Sequence, residues 1–219
     1  MLFQVTLLLV AGSFAALTFL VKTMPSFAID LQISQFVQLI NNPFFALFMG
    51  LISWPGFLPQ SIIIAVLTVL LFYKLGLQWE SLMMLFAATF SSGVNVLVKD
   101  LIQRPRPTAG MVNVISTLTS YSFPSGHVMF YLGYFGFVAF LIFSLLKPTL
   151  KRNLLLVLLC GLIILVGPSR IFLGQHWASD VLGAYLLGSL TLMVVIQFYR
   201  WGKTRFFIRQ PVAAATLQA

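Results

Sequence analysis

Six stretches of the chain carry no Asp, Glu, Lys or Arg: residues 1–21, 31–73, 81–98, 107–146, 153–169 and 181–199. No other feature restricts the fold as strongly. In hydrocarbon a chain must satisfy its backbone polar groups internally, so long uncharged apolar runs fold as spanning helices. Each span needs about 20 apolar residues, within a range of roughly 17–25. The runs predict an all-α integral membrane bundle of six transmembrane helices, over about 3–22, 57–74, 81–99, 127–146, 153–169 and 179–200. Residues 1–219 read as a single membrane-embedded domain. Composition excludes the other classes. Hydrophobic residues make up 60% of the chain and charged ones 8%, where a soluble domain has about 25% charged. The 22 Phe exclude a disordered chain, and a single cysteine excludes a disulfide scaffold. That residue, Cys160, lies in an apolar run and reads as a small buried hydrophobe. The first run has no basic n-region and is long, so it reads as a retained anchor and not a signal peptide.

Residues 26–54 are apolar but not a clean span. Ile29 to Ile40 is amphipathic, and Asn41-Asn42-Pro43 breaks it. This predicts an interfacial helix after the first span. Phe44 to Trp54 stops at Pro55-Gly56. It is either a separate short helix or the start of a kinked second span.

Loop charge sets the orientation. With six spans, Lys74, Lys147, Lys151, Arg152, Arg200, Lys203, Arg205 and Arg209 share one side, which should be cytoplasmic. Trp79 and Trp201 then mark the inner interface and Trp177 the outer one. Both histidines fall in the opposite loops, within three polar clusters.

The first cluster runs from Lys99 to Pro107. Alone it could be an interfacial anchor, because Lys and Arg snorkel at helix ends. The second is Pro124-Ser125-Gly126-His127, directly before an apolar run. Ser is a preferred N-cap and Gly permits close approach, so a plain helix start is one reading. A helix beginning here also points free N–H groups at whatever lies in front, which suits a phosphate. The third runs from Ser169-Arg170 to His176 and Asp180. If the last helix begins near His176, the two residues share a face and can touch. A carboxylate on one imidazole nitrogen frees the other to react, although a structural pair would look the same. Taken together, Lys99, Arg106, Arg170, a helix N-terminus and two imidazoles suit a phosphoryl group. A metal fits poorly: Asp100 and Asp180 are the only nearby carboxylates, and no Cys lies in these loops. Arg104 reads as headgroup attraction or a solvated charge.

In order and internal spacing the three clusters resemble the type-2 phosphatidic acid phosphatase family of membrane lipid phosphatases. The family pattern is Lys, six residues, Arg-Pro; then Pro-Ser-Gly-His; then Ser-Arg, five residues, His, three residues, Asp. Lys99 to Arg106-Pro107, Pro124 to His127 and Ser169-Arg170 to His176 and Asp180 match it without departure. The resemblance implies catalytic roles for His176, His127 and Asp180. His176 would form a phosphohistidine, oriented by Asp180, and His127 would protonate the leaving oxygen. Lys99, Arg106, Ser125, Gly126 and Arg170 would hold the phosphate oxygens. It implies no metal and no cofactor.

Three functions remain open at this level. One is a phosphatase acting on phosphatidylglycerophosphate, phosphatidate or undecaprenyl diphosphate. Another is a lipid phosphotransferase with the same motifs. The last is a non-enzymatic binder or transporter of anionic lipids. Span interiors almost without charge argue against coupled transport. Asn95 is the mid-span polar exception and predicts an interhelical hydrogen bond. The expected partners are a lipid phosphate substrate and membrane lipids, with no nucleic acid and no obligate protein partner. The expected location is a bacterial inner membrane, with the active site extracytoplasmic.

Overall fold

The structure is a computed structural model, and it describes residues 2–24, 27–116 and 118–207. Arg209, counted above with the cytoplasmic charges, lies outside them. The architecture is all-helical. Its elements are α1 (Leu2–Thr23), α2 (Ala28–Gln38), α3 (Pro43–Ser53), α4 (Gln60–Lys74), α5 (Gln78–Ile102), α6 (Gly126–Phe130), α7 (Gly136–Leu145), α8 (Leu150–Phe172) and α9 (Ala178–Gly202). α6 and α7 are joined through a wider π turn at Tyr131–Phe135, so Gly126–Leu145 forms one span.

Five helical segments among the described residues are long and apolar enough to cross a membrane: Gln4–Thr23, Gln78–Ile102, Gly126–Leu145, Leu150–Phe172 and Ala178–Phe206. The sequence expectation of a simple second span over 57–74 needs correction. α4 has only 15 residues, about 22 Å at 1.5 Å per residue, short of the roughly 30 Å core. It becomes a sixth candidate only together with Pro43–Gly56, from which it is bent by 57°. The bend has a local cause. Asn42 Oδ1 accepts from Phe44 N at 2.8 Å and starts α3 with Pro43 in the first turn, where a proline loses no hydrogen bond. Pro55 and Pro59 then interrupt the ladder between α3 and α4.

The span Gly126–Leu145 is the axis of the bundle, with 61% of its apolar window buried against 6% for that of α1. Val128, Met129, Tyr131, Tyr134, Phe137 and Leu141 project from it into a core shared with Met83, Met84 and Ala87 of α5 and Val181, Ala184 and Leu187 of α9. Close approach is secured at Gly183, where an added Cβ would lie 2.3 Å from the Phe123 ring. At the end remote from both histidines, buried Glu80 accepts from Lys203 Nζ at 2.6 Å and Tyr199 OH at 3.0 Å. That tie holds the start of α5 to the end of α9.

One burial expectation is corrected. Cys160 is exposed on α8, because an apolar run in a membrane protein includes a lipid-facing side as well as a core-facing one. Trp177 is 6% exposed, and its Nε1 donates to Pro105 O at 3.1 Å. Its ring packs against the loop that carries Arg104 and Arg106.

Candidate active site

One end of the bundle gathers the three polar clusters. α5 delivers Lys99, and Gln103 ends that helix in the left-handed region at φ 57°. The following loop carries Arg104 and Arg106. The central span begins at Gly126 with His127 in its first turn. α8 ends just after Arg170, and the turn through Gly174 at φ +66° leads to His176. An added Cβ at Gly174 would lie 2.1 Å from Asn113 O, so both space and φ require glycine there.

His176 is 1% exposed and Asp180 fully buried. The last helix starts at Ala178 and not at His176. Asp180 therefore reaches back from the first turn, its Oδ2 accepting from Trp177 N at 2.9 Å. The same oxygen lies 3.4 Å from His176 Nδ1 and accepts a hydrogen bond from Ser122 Oγ. On the other side of the ring, Arg106 Nη1 stands 3.1 Å from His176 Nε2. A guanidinium can only donate, so Nε2 must accept. The proton then sits on Nδ1, facing Asp180, and the Nε2 lone pair faces Arg106. Burial, reinforced by the charges of Arg106, Lys99 and Arg170, holds the imidazole well below its ordinary pKa of 6.5. It is therefore neutral near pH 7.

The cations are held in two ways. Arg106 donates to Ser120 O at 2.6 Å, Gln175 O at 2.7 Å and Tyr121 O at 3.2 Å. Lys99 Nζ donates to Ser122 O at 3.2 Å and to Tyr121 O. Both are thus fixed on the 120–122 backbone, beside His176. Arg170 is different. Fully buried, it donates from Nη1 to Ser53 Oγ at 3.2 Å and lies 5.0 Å from the Phe57 ring centroid, while its Nε and Nη2 have no partner. Phe57 in turn meets the His127 ring edge-on at 4.6 Å. An added Cβ on Gly56 would lie 2.4 Å from His127 Cδ2, so the turn after α3 fits against that histidine only as glycine.

Ser125 stands at the N-cap position of the central span. Its side chain makes no capping bond, and its buried Oγ has no partner. His127 Nε2 is buried without a partner as well. Asn95, the mid-span polar residue, donates to Pro124 O at 3.0 Å and braces this loop instead of bonding to another helix. An added Cβ at Gly126 would lie 3.2 Å from Asn95 Oδ1, so its close approach is to that side chain. All eight residues singled out by motif therefore stand at the same end of the bundle. Among the described residues, no group of three His, Cys, Asp or Glu side chains could hold a metal ion.

Several site residues were not singled out from sequence. Ser122 joins the His176–Asp180 pair, and Ser53 and Phe57 contact Arg170. Arg104, expected to be solvated, is 1% exposed and paired with Asp180 at 2.5 Å and with Asp30 at 2.7 Å. A sequence signal existed for Asp30: it is one of only four acidic residues and lies in an otherwise uncharged amphipathic segment.

Residues 80–203, more than half of the chain, match the model of the PAP2 superfamily. The chain belongs to that superfamily and is an integral membrane protein. Phosphatidylglycerophosphatase B of Bacillus subtilis is 34% identical over 122 residues, covering 55% of this chain and 58% of that protein. The match thus spans less than two thirds of that relative's length. Human dolichyldiphosphatase 1 is 27% identical over 168 residues, covering 73% of this chain and 68% of that protein. The crystal structure of a transmembrane PAP2-type phosphatidylglycerolphosphate phosphatase from Bacillus subtilis superimposes with a TM-score of 0.76 at 27% identity, covering 91% of this chain and 98% of that one. LpxE of Aquifex aeolicus, at 19% identity and a TM-score of 0.58, covers 80% of this chain and 98% of its own and shares the fold.

Proposed function

We propose that this protein is a membrane lipid phosphatase that cleaves a phosphomonoester or diphosphate from a lipid through a phosphohistidine on His176. One observation carries the reading. Four polar atoms with no partner, Ser125 Oγ, His127 Nε2 and Arg170 Nε and Nη2, are buried at the end that holds the neutral His176. Orphaned buried donors are costly, and an anionic oxygen cluster would satisfy them. A phosphoryl group entering there would also meet the first-turn N–H groups of the span beginning at Gly126. Its charge would be met by Arg170 and Arg106, with Lys99 acting as a point charge.

The chemistry follows from the ring's hydrogen bonds. A phosphate oxygen replaces His176 Nε2 as the partner of Arg106, which releases the lone pair. Nε2 attacks phosphorus as the bond to the lipid oxygen breaks, and His127 protonates that oxygen. Asp180 stabilises the positive charge that develops on the His176 ring. Water then attacks the phosphohistidine with His127 as base, and inorganic phosphate leaves. A covalent intermediate divides one difficult displacement into two, and the fixed cations stabilise the transferring group electrostatically.

The substrates named for the relatives are a phosphatidylglycerophosphate and a dolichyl diphosphate. We assign this chain the shared class, a phosphate or diphosphate on a membrane-embedded lipid; phosphatidylglycerophosphate, phosphatidate and undecaprenyl diphosphate are the candidates to assay. The site is placed on the extracytoplasmic face of a bacterial inner membrane, with α2 lying in the interface. α2 supports that position: it buries Asp30 and Ser34 and exposes Ile29 and Phe36, the reverse of a helix facing water. The test is phosphate release by purified protein in detergent, with EDTA, from these three substrates. Release that persists in EDTA and vanishes in His176→Ala is expected. A strict requirement for added Mg²⁺, or full release by His176→Ala, would overturn the mechanism. Loss of substrate phosphate only when an acceptor lipid is present would instead identify a phosphotransferase.

A further inference from the structure

Asp180 has two carboxylate oxygens, and they serve different partners. Oδ2 faces His176 and Ser122. Oδ1 accepts from Arg104 Nη1 at 2.5 Å. The other arm of that guanidinium, Nη2, donates to Asp30 Oδ2 at 2.7 Å. Asp30 is held in turn by Ser179, whose N donates to Oδ1 at 2.8 Å and whose Oγ donates to Oδ2 at 2.5 Å. Arg104 Nη1 also donates to Ser179 Oγ at 2.7 Å. Three charged side chains, each no more than 1% exposed, thus join α2, the loop after α5 and the first turn of α9.

Such a triad is not explained by stability alone. Desolvating three charges is expensive, and well-packed apolar residues often do as well or better. Its position offers another account. A guanidinium bonded to Oδ1 fixes the plane of the Asp180 carboxylate and so aims Oδ2 at His176 Nδ1. Left alone with Asp180, the same cation would weaken that carboxylate's hold on a developing imidazolium. Asp30 supplies a second negative charge that offsets it. The triad carries a net charge of −1, the same as a lone Asp180.

We propose that Arg104 and Asp30 are positioning residues for the His176–Asp180 pair, with a carboxylate on α2 acting on the nucleophile through Arg104 and Asp180. The inference rests on the reading of His176 as nucleophile. It predicts effects on turnover and on the titration of His176, while substrate binding by Lys99, Arg106 and Arg170 is left in place.

The experiment compares kcat, KM and the acid limb of kcat/KM for Asp30→Asn, Arg104→Gln and the double variant on one lipid phosphate, with EDTA present. Groups supporting a reactive histidine from behind are worth about 10–100-fold in the better studied case of metal-bound imidazoles. Each variant should lose kcat on that order, with KM nearly unchanged. The acid limb gives the sign. Asp30→Asn takes the triad from −1 to 0 and should move the limb to lower pH. Arg104→Gln takes it to −2 and should move the limb to higher pH. The double variant returns to −1 and should restore the limb while kcat stays low. The other charged or titratable groups that act on His176, namely Lys99, Arg106, Arg170 and His127, are the same in all three. Opposite shifts with restoration support the proposal. Limbs that do not move, or that move the same way in both single variants, overturn it whatever the loss of kcat. If Arg104→Gln fails to fold, Asp30→Asn decides: a limb at lower pH supports the proposal and an unmoved limb overturns it. His176→Ala in the same assay separates the two levels. If it stays active, the nucleophile assignment fails; if it is dead while Asp30→Asn matches the parent in kcat and limb, only the present inference fails.

Discussion

His176 and His127 differ in what surrounds their nitrogens, and that difference predicts different variants. His176 has its Nδ1 proton directed to Asp180 and its Nε2 lone pair toward Arg106 at 3.1 Å, which suits the proposed nucleophile. His127 has a buried Nε2 with no partner, which suits the proposed proton donor to a substrate oxygen. His176→Ala should therefore abolish both the labelled phosphoenzyme and turnover. His127→Ala should lower turnover of an alkoxide-leaving lipid by about 10²–10⁴-fold, the usual worth of general acid–base help. A nitrophenyl phosphate needs no such proton. With it, rapid-quench labelling of His127→Ala should show phosphoenzyme forming and persisting. Phosphoenzyme that survived in His176→Ala and vanished in His127→Ala would reverse the two roles. The depressed pKa of His176 has its own consequence. In the proposed mechanism only the neutral ring attacks, and burial with the charges of Arg106, Lys99 and Arg170 holds the ring well below its ordinary pKa of 6.5. The acid limb of kcat/KM, corrected for protonation of the substrate phosphate, should thus fall below pH 6.5. A limb above 6.5 would mean that burial and the three cations do not govern the ring.

At the scale of elements, the site is assembled from helix ends at one pole of the bundle. The opposite pole holds the Glu80–Lys203 pair and the 146–149 turn. The polarity of the two poles can be tested with single cysteines in a Cys160→Ser background, since Cys160 is exposed and would otherwise report. Ala109 and Lys147 are both exposed and lie at opposite poles. In intact spheroplasts a membrane-impermeant maleimide should label Ala109→Cys, while Lys147→Cys should label only after lysis. The expectation comes from Lys147, Lys151 and Arg152 at the 146–149 turn and the start of α8, and from the basic end of α9. The reverse pattern would put the site on the cytoplasmic side. The α3 segment shows how an element can matter without carrying a motif. Ser53 meets Ser169 at 2.8 Å and Arg170 at 3.2 Å, and Tyr131 OH donates to Ile52 O at 2.5 Å. A half-length helix that could not be classed from sequence thus forms one wall of the site.

For the whole molecule, the fold class and the membership of the PAP2 superfamily were legible in the sequence, as were the motif residues that the fold gathers at one end of the bundle. Long uncharged apolar runs favour spanning helices, because hydrocarbon offers no partner to an open backbone; five such helices are present among the described residues. The motif residues could be read because each cluster is nearly continuous in sequence and polar against an apolar background. The remaining contacts depend on which helices pack together. Arg104 looked solvated because its partners, Asp30 and Asp180, are 74 and 76 positions away. Ser122 and Ser53 are ordinary serines until Asp180 and Arg170 are brought to them. Cys160 was misplaced for a physical reason. In water, apolar periodicity separates core from surface. In a bilayer both the lipid-facing and the core-facing sides of a helix are apolar, and the pattern that would tell them apart is absent. The 57° bend before α4 follows locally from Pro55 and Pro59, but the packing of α3 against α8 is what brings Ser53 to Arg170. Composition bounds what can enter the membrane; the contacts between helices determine which residues then meet.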